Sequence, residues 1–208
     1  TTFTVSITDS ALATATNNLT TVIAKSINDA PVVGNAVAGQ PVLDNTSLSP
    51  FASFTISDAD VGQNQTVTIA LDDISKGTLS NLGGGTITAG VYSFTGTAAA
   101  AQTAIRGLVF TPTPNHVAVG STETTTFTVT VNDGVAAAVT NNITTVVATS
   151  VNDAPVIGGI TPVTAIADNS LVGAHPFSLV TINDIDSPAQ TLTVKVSLDA
   201  TAKGVLSN

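Results

Sequence analysis

The sequence predicts an all-β fold built from tandem β-sandwich domains with Greek-key connections. Three observations support this prediction. Apolar and polar residues alternate in several short runs, turn-forming residues separate these runs, and one long stretch of sequence occurs more than once. The composition agrees, because 43% of the residues are hydrophobic while only 9% are charged, and Thr, Val and Ile are frequent. β-Branched residues of this kind favour pleated sheets.

The alternation has a period of two residues, as expected for strands with one buried face. Phe127, Val129 and Val131 are separated by Thr128 and Thr130, which places the three apolar side chains on one side of a strand. The same alternation occurs in residues 3–7, 67–71 and 192–196. Turns are indicated at Lys76-Gly77, Gly83-Gly84-Gly85, Ala89-Gly90 and Asp133-Gly134. An Ala-rich stretch at 98–108 predicts one short helix, and Pro112 lies beyond its end.

An internal repeat organises the whole chain. Three segments return 124 positions later, and two more return at offsets of 126 and 127. The matches are residues 3–9 with 127–133, 17–22 with 141–146, 26–32 with 150–156, 54–60 with 180–186, and 76–81 with 203–208. The period is therefore about 125 residues, which is too long for a solenoid unit and suits a string of domains.

The chain is out of phase with this repeat. Residues 1–31 correspond to the C-terminal part of one copy, residues 32–155 to a complete copy, and residues 156–208 to the N-terminal part of the next. We expect the chain to be a segment of a longer tandem array.

Several classes of function have no support in the composition. A net charge of −9 with only five Lys and Arg residues gives no basic footprint for nucleic acid. Without Cys, the chain has no disulfide framework, thiolate metal site or Cys nucleophile. No apolar run is long enough to insert into a membrane. No catalytic arrangement recurs with the repeat, so we do not expect an enzyme.

The acidic residues, in contrast, follow the repeat. Eight of them occupy equivalent positions within the matched segments: Asp9, Asp29, Asp58, Asp60, Asp133, Asp153, Asp184 and Asp186. Asp58 and Asp60 lie on the same side of an extended segment, and two such close carboxylates repel each other unless a cation or donors lie between them. A hard divalent ion takes six to eight oxygen ligands and suits such a cluster. Alternatively, Asn-Asp-Ala-Pro is only an interdomain turn, and Asp-x-Asp only a solvated loop.

These motifs resemble the calcium-binding junctions of cadherins. Residues 28–31 and 152–155, both NDAP, are similar to the acidic linker between cadherin domains, and residues 58–64 (DADVGQN) resemble the cadherin loop Asp-Ala-Asp-x-Gly-x-Asn. Asp133 resembles the loop aspartate that closes the same site. The whole chain resembles the cadherin-like repeats of large bacterial surface and type I-secreted adhesins.

The resemblance implies cadherin- or immunoglobulin-like sandwiches, an extracellular location on a bacterial surface, and Ca2+ as the cofactor at the junctions. The metal ligands that it implies are Asn28, Asp29, Asp58, Asp60, Asn64, Asp133, Asn152, Asp153, Asp184 and Asp186. Two features depart from the cadherin pattern. Ser26 and Ser150 replace the first linker aspartate, and the glutamates of a preceding cadherin domain have no counterpart.

Two functions remain as alternatives. The first is a structural segment of an extracellular adhesin or stalk, stiffened by calcium, with neighbouring repeats of the same chain as partners and a surface receptor or other copies of itself beyond them. The second is a subunit of a self-assembling extracellular filament, in which partial repeats of different molecules pair their strands.

Overall fold

A computed structural model describes residues 1–159, 165, 167, 174–200 and 203–205. It confirms the all-β sandwich that the sequence predicts, while the Greek-key connectivity stays a prediction. Fifteen strands and one nine-residue α-helix, α1, occur in the described ranges. The strands are β1 (Thr2–Thr8), β2 (Thr14–Thr21), β3 (Val32–Gly34), β4 (Gln40–Leu43), β5 (Thr55–Ser57), β6 (Asn64–Leu71), β7 (Gly77–Ser80), β8 (Thr86–Thr88), β9 (Val91–Thr97), β10 (Val109–Pro112), β11 (Thr122–Asn132), β12 (Val139–Asn141), β13 (Thr145–Thr149), β14 (Val156–Gly158) and β15 (Thr181–Asn183).

A seven-stranded sheet forms one layer of the complete copy. Its order is β4-β13-β11-β6-β9-β8, with β12 also paired to β11. All neighbours are antiparallel except β13 and β4. In the central pair, Phe127 lies opposite Leu71, Val129 opposite Ile69 and Val131 opposite Val67. The apolar side chains of β6 and β11 therefore share one face, as their alternation predicts.

Two small antiparallel sheets, β3–β5 and β7–β10, supply the opposite side of the core. Phe51, Phe110 and Phe127 are fully buried between the layers. The ring of Phe127 packs edge-on against both of the other rings, with centroid distances of 5.3 and 5.2 Å. Such edge-to-face contacts match the quadrupoles of the rings and fix the two layers relative to each other.

The helix α1 (Ala98–Arg106) occupies the stretch where the Ala-rich sequence predicts one. The Oγ1 of Thr97 caps its first turn by accepting a hydrogen bond from the Ala100 amide, and Gly107 follows its last residue. The Gln102 side chain accepts a hydrogen bond from the Ile56 amide at 3.0 Å. This contact ties the helix to β5, whose chain continues directly into the Asp58–Asp60 loop.

The partial copies at the two ends form only small sheets. β1 pairs with β2, and β14 pairs with β15. The prediction of a strand at residues 192–196 is wrong, because these residues are described without strand structure. The equivalent strand in the complete copy, β6, has hydrogen-bonding neighbours on both edges. Residues 192–196 lack such neighbours in the described chain, so the apolar alternation alone does not produce a strand.

The strand β11 connects the two ends of the complete copy. Its eleven residues extend over about 34 Å at ~3.4 Å per residue. Near its start, the Ser150 amide donates to the Ser121 carbonyl, so the linker that leaves the copy lies there. After its end, Asp133 contacts the linker that enters the copy. The two linkers therefore meet the sandwich at opposite ends.

Candidate functional site: two hydrogen-bonded junctions

The first junction is the place where residues 28–29 contact the loops at one end of the complete copy. The Asn28 amide nitrogen donates to Asp133 Oδ2 at 2.9 Å, and to the Asp29 carbonyl at 3.0 Å. Asp133 follows β11, and its Oδ1 accepts hydrogen bonds from the amides of Val135 and Ala136 at 2.8 Å each. Gly134, with a φ of +82°, provides the turn that this loop requires. The loop thereby presents the second carboxylate oxygen of Asp133 to the linker.

The Asp58–Asp60 loop completes the first junction. Asp58 Oδ1 accepts a hydrogen bond from the Asp60 amide at 2.8 Å, which folds the loop back on itself. Asp60 Oδ2 then accepts from the backbone amide of Asp29 at 2.6 Å. A hydrogen bond from an N–H to a carboxylate is among the stronger kinds in proteins. The entering linker is thus held by carboxylates from two separate loops.

Two glutamines that the sequence analysis missed belong to the same network. Gln63 donates from its amide nitrogen to Asn28 Oδ1. Gln65 is fully buried and donates to Asp58 Oδ2 at 2.7 Å. Asn64, between them, is the first residue of β6, is exposed, and makes no side-chain hydrogen bond among the described residues. Side chains alternate along a strand, so Gln65 rather than Asn64 faces Asp58.

The second junction, between residues 150–153 and 184–190, repeats this arrangement. The Asp153 amide donates to both carboxylate oxygens of Asp186, at 3.1 and 3.3 Å. The Asp186 amide donates to Asp184 Oδ1 at 3.1 Å. Gln190 donates to Asn152 Oδ1 at 3.0 Å and to Asp186 Oδ2 at 2.9 Å. Gln190 therefore takes the place that Gln63 has at the first junction.

The structure thus brings the predicted residues of each junction together, with the exception of Asn64. Gln63 and Gln190 were detectable in the sequence, because they are related by the same offset of 127 that relates Lys76 to Lys203, whereas the position equivalent to Gln65 carries Leu192. The predicted ligands were aspartates and asparagines, and glutamine was not among them.

Asp44 and Asn115 also belong to the second junction. They lie in the complete copy, which precedes the linker in the chain. Asp44 is only 4% exposed and accepts hydrogen bonds from the amides of Asn115 at 3.0 Å and Val151 at 3.2 Å. The Asn115 side chain donates to Asp153 Oδ2 at 3.0 Å. A sequence signal exists for Asp44, because Asp44-Asn45 recurs as Asp168-Asn169 at the offset of 124. Residue 168 itself lies outside the described residues.

Both junctions are acidic, and none of the ion pairs between described residues involves them. Those pairs are Lys76 with Asp72, His116 with Glu123, and Lys203 with Asp199. The hydrogen bond from Asn28, assisted by the backbone amides of Val135 and Ala136, lowers the pKa of Asp133 below its ordinary value of 3.8. The junction carboxylates are therefore held by neutral donors rather than by basic side chains.

Buried oxygens without a hydrogen-bond partner concentrate at the same two places. Five buried side-chain polar atoms of the described residues have no partner, and four of these are junction oxygens: Oε1 of Gln63, Oε1 of Gln65, Oδ1 of Asn115 and Oγ of Ser150. Buried polar groups normally find a partner, and each exception asks for an explanation. Ser150 is among the most buried of these residues, with only 2% of its surface exposed.

The donor set can be compared with the needs of a metal ion. Carboxylate, amide and hydroxyl oxygens are the ligand types that Ca2+ takes, and no thiolate or imidazole lies in either junction. In the described part of the chain, however, no three His, Cys, Asp or Glu side chains are grouped as a metal site. Most of the junction carboxylate oxygens instead accept hydrogen bonds from backbone or side-chain amide N–H groups. The set fits calcium in chemical type, while the described arrangement is a hydrogen-bonded network.

No protein-family model matches this chain, and no curated protein matches it significantly. None of the described helices is long and apolar enough to cross a membrane.

Proposed function

We propose that this chain is a structural segment of a long extracellular adhesin or stalk, in which calcium at the junctions aligns successive β-sandwich repeats. The observation that carries the proposal is the coincidence, at both junctions, of repeated carboxylates with buried oxygens that have no partner. Carboxylates this close repel one another, and no basic side chain of the described ion pairs offsets their charge.

A calcium ion would supply the missing partner for the unpaired oxygens. At the first junction, the residues that would hold the ion are Asn28, Asp29, Asp58, Asp60, Asp133 and Gln63. At the second junction, they are Asp44, Asn115, Ser150, Asn152, Asp153, Asp184, Asp186 and Gln190.

The mechanical role follows from where these groups come from. The linker, the Asp-x-Asp loop and, at the second junction, the preceding repeat each contribute oxygens. Without a shared ion, the contacts that hold each linker against the loops beside it are, among the described residues, hydrogen bonds that water can replace. An ion bound by groups from both sides restricts the rotation of one repeat relative to the next. It stabilises the folded, ion-bound state by RT ln(1 + [L]/Kd).

Small-angle scattering of the chain in calcium and in excess chelator tests the proposal. We expect a larger maximum dimension in calcium than in chelator, together with a raised melting temperature. Magnesium at the same concentration serves as a control, because it demands a smaller octahedral site and gives up its waters reluctantly.

A matched pair of variants separates a site effect from a charge effect. The double variant Asp60→Asn/Asp186→Asn removes one carboxylate from each junction. Asp72→Asn/Asp199→Asn removes the same charge from positions paired with Lys76 and Lys203, away from the junctions. Only the first should abolish the response to calcium. Scattering profiles that are identical with calcium and with chelator in the unmodified chain would falsify the proposal.

A further inference from the structure

Gln65 is the one polar residue on the inward face of β6. Side chains alternate along a strand, and the same face carries Val67, Ile69 and Leu71. The first two belong to the buried core and the third packs against it. Gln65 is also 0% exposed, so its amide is removed from water. Burying an amide costs free energy unless hydrogen bonds replace those to water, and an apolar side chain in this row would carry no such cost.

The next copy of the repeat carries an apolar residue at the position of Gln65. Gln190 occupies the place of Gln63, since both donate to the Oδ1 of a linker asparagine. Two positions further on, Leu192 stands where the complete copy has Gln65. The repeat therefore accepts an apolar residue at this position. The reason for a buried glutamine in the complete copy lies in what its amide contacts.

The amide of Gln65 contacts the Asp-x-Asp loop. Its nitrogen donates to Asp58 Oδ2 at 2.7 Å, while the Asp60 amide donates to Asp58 Oδ1 at 2.8 Å. The two donors hold the Asp58 carboxylate at both oxygens and so restrict its rotation. Both donors are neutral, and a carboxylate oxygen accepts more than one partner, so Asp58 keeps its charge and free lone pairs for a cation. Among the described residues, the buried Oε1 of Gln65 has no partner, which leaves Asp58 as the one side-chain contact of this amide.

We propose that Gln65 is a positioning residue for calcium at the first junction, where its buried amide holds the Asp58 carboxylate in place before the ion binds. The inference rests on the proposed function, since it takes calcium as the ion. The donor is carried by β6, a strand that is paired on both edges, whereas Asp58 lies in the loop that follows β5. Hydrogen bonds of this kind orient a metal-binding carboxylate and raise the affinity of the site. Gln65 acts through Asp58 and contributes no charge of its own.

The same reasoning predicts that the junctions of one array differ in calcium affinity. In the next copy, Leu192 has no group that could donate a hydrogen bond to Asp184. Of two otherwise identical junctions, the one with glutamine at this position fills at a lower calcium concentration than the one with leucine. An array that contains both kinds becomes rigid over a wider range of calcium concentrations than an array of identical junctions.

Calcium titration of the intact chain tests the proposal, with the NMR signals of the Asn28 and Asn152 side-chain amides as reporters of the first and the second junction. Gln65→Leu should raise the calcium concentration at the Asn28 midpoint about 10- to 100-fold and leave the Asn152 midpoint where it is. Gln65→Met keeps the length of the side chain without the donor, and it should give the same shift. An unchanged Asn28 midpoint in both variants overturns the proposal. A shift in Gln65→Leu alone also overturns it, because the shape of the side chain rather than its donor would then matter.

Thermal unfolding in excess chelator separates positioning of Asp58 from support of the fold. Gln65→Leu removes a buried polar group, and water can replace the lost donor at the half-buried Asp58, so the melting temperature should not fall. Tyr92→Phe is the control, because it deletes a buried hydrogen bond to the Leu82 carbonyl, which belongs to neither junction. This variant should melt at a lower temperature and keep the Asn28 midpoint.

The outcomes distinguish this inference from the proposed function. If Gln65→Leu shifts the Asn28 midpoint no more than Tyr92→Phe does, Gln65 only supports the fold and the inference is overturned. If both amide signals respond to calcium in the unmodified chain and keep their midpoints in the Gln65 variants, the inference alone fails. If calcium moves neither signal in the unmodified chain, the inference fails together with the proposed function.

Discussion

The side-chain amide of Asn28 donates a 2.9 Å hydrogen bond to the carboxylate of Asp133, although 105 positions separate the two residues in the sequence. One residue belongs to the linker that enters the complete copy and the other to the loop after β11. The contact therefore connects a segment between repeats to the end of the longest strand of the large sheet. The orientation of the linker depends on this contact and on the one between Asp29 and Asp60.

We predict that Asn28→Ala raises the pKa of Asp133 towards its ordinary value of 3.8. The Asn28 hydrogen bond is the largest of the effects that lower this pKa, because it stabilises the charged form. Titration of the Asp133 carboxyl carbon by NMR measures the change. Asn152→Ala, the equivalent substitution at the other junction, should leave the pKa of Asp133 where it is. An unchanged pKa in Asn28→Ala contradicts the assignment.

The sign of this shift also predicts how the linker contact depends on pH. A carboxyl group whose pKa is lowered in the folded state stabilises that state above the ordinary pKa, and the stabilisation is lost as the pH falls through the lowered value. We expect proteolysis within residues 26–31 to increase below about pH 4, where Asp133 begins to take up a proton. Asp133→Asn should show the increased cleavage already at neutral pH. Cleavage that is independent of pH would count against a role for this carboxylate in holding the linker.

We predict that Asp58→Ala destabilises the complete copy by about 1–3 kcal/mol, the cost of leaving a buried donor without an acceptor. The donor is the Gln65 amide, which is fully buried and bonds to Asp58 Oδ2. Asp184→Ala is the natural comparison, because the position equivalent to Gln65 of the complete copy carries Leu192 in the following copy. Urea denaturation should show a clear loss of stability for Asp58→Ala and a smaller one for Asp184→Ala. Equal losses would mean that Gln65 finds another partner.

The sequence predicted those parts of the fold that depend on local pattern. Alternation in residues 127–131 located β11, and the Ala-rich stretch located α1 to within two residues at its end. The strand was predictable because every second side chain of a strand lies on the same face. The helix was predictable from its helix-forming residues and its N-terminal cap. The alternation at residues 192–196 was equally clear, yet no strand is found there. A strand also requires hydrogen-bonding neighbours, and whether a segment has them is not a property of its own sequence.

The candidate site was predicted through its charges and incompletely through its amides. The carboxylates stood out because they repeat at fixed offsets. Gln65 did not stand out, because a buried glutamine is recognised only once the strand direction shows which side chain faces Asp58. Asp44 was missed for a similar reason, since it lies far from the linker in sequence and reaches Val151 only through the fold.

We predict that alkaline pH unfolds the complete copy as Tyr92 ionises. Tyr92 is fully buried, its hydroxyl donates to the Leu82 carbonyl at 3.0 Å, and its burial raises the pKa of the phenol above 10.0. In the unfolded chain the phenol of Tyr92 ionises near pH 10, whereas in the folded chain it ionises at a higher pH. The free energy of unfolding therefore falls as the pH rises above about 10. Tyr92 is the only Tyr and no Trp is present, so absorbance at the tyrosinate band reports this residue alone. A titration midpoint near 10 in the folded protein, with unchanged circular dichroism, would contradict the burial.

The last prediction concerns Asp44, whose position distinguishes the two junctions. At the second junction, Asp44 is the buried carboxylate on the side that precedes the linker, and it accepts hydrogen bonds from Asn115 and Val151. If calcium is shared between neighbouring repeats, the charge of Asp44 increases the calcium affinity of the second junction and has no effect on that of the first. We expect Asp44→Asn to weaken calcium binding at the second junction about 10- to 100-fold, because the number of charged ligands tunes the affinity of a calcium site.

The side-chain amides of Asn28 and Asn152 serve as local NMR reporters, one for each junction. In Asp44→Asn, the Asn152 signal should titrate at higher calcium concentrations while the Asn28 signal keeps its midpoint. In Asp60→Asn, the pattern should reverse, because Asp60 contacts Asp29 at the first junction. If both midpoints stay unchanged in Asp44→Asn, the preceding repeat supplies no ligand and each junction binds calcium from one side only. If neither amide responds to calcium in the unmodified chain, the carboxylates serve the hydrogen-bonded network alone, and direct contacts such as the one between Asn115 and Asp153 hold the linker in place.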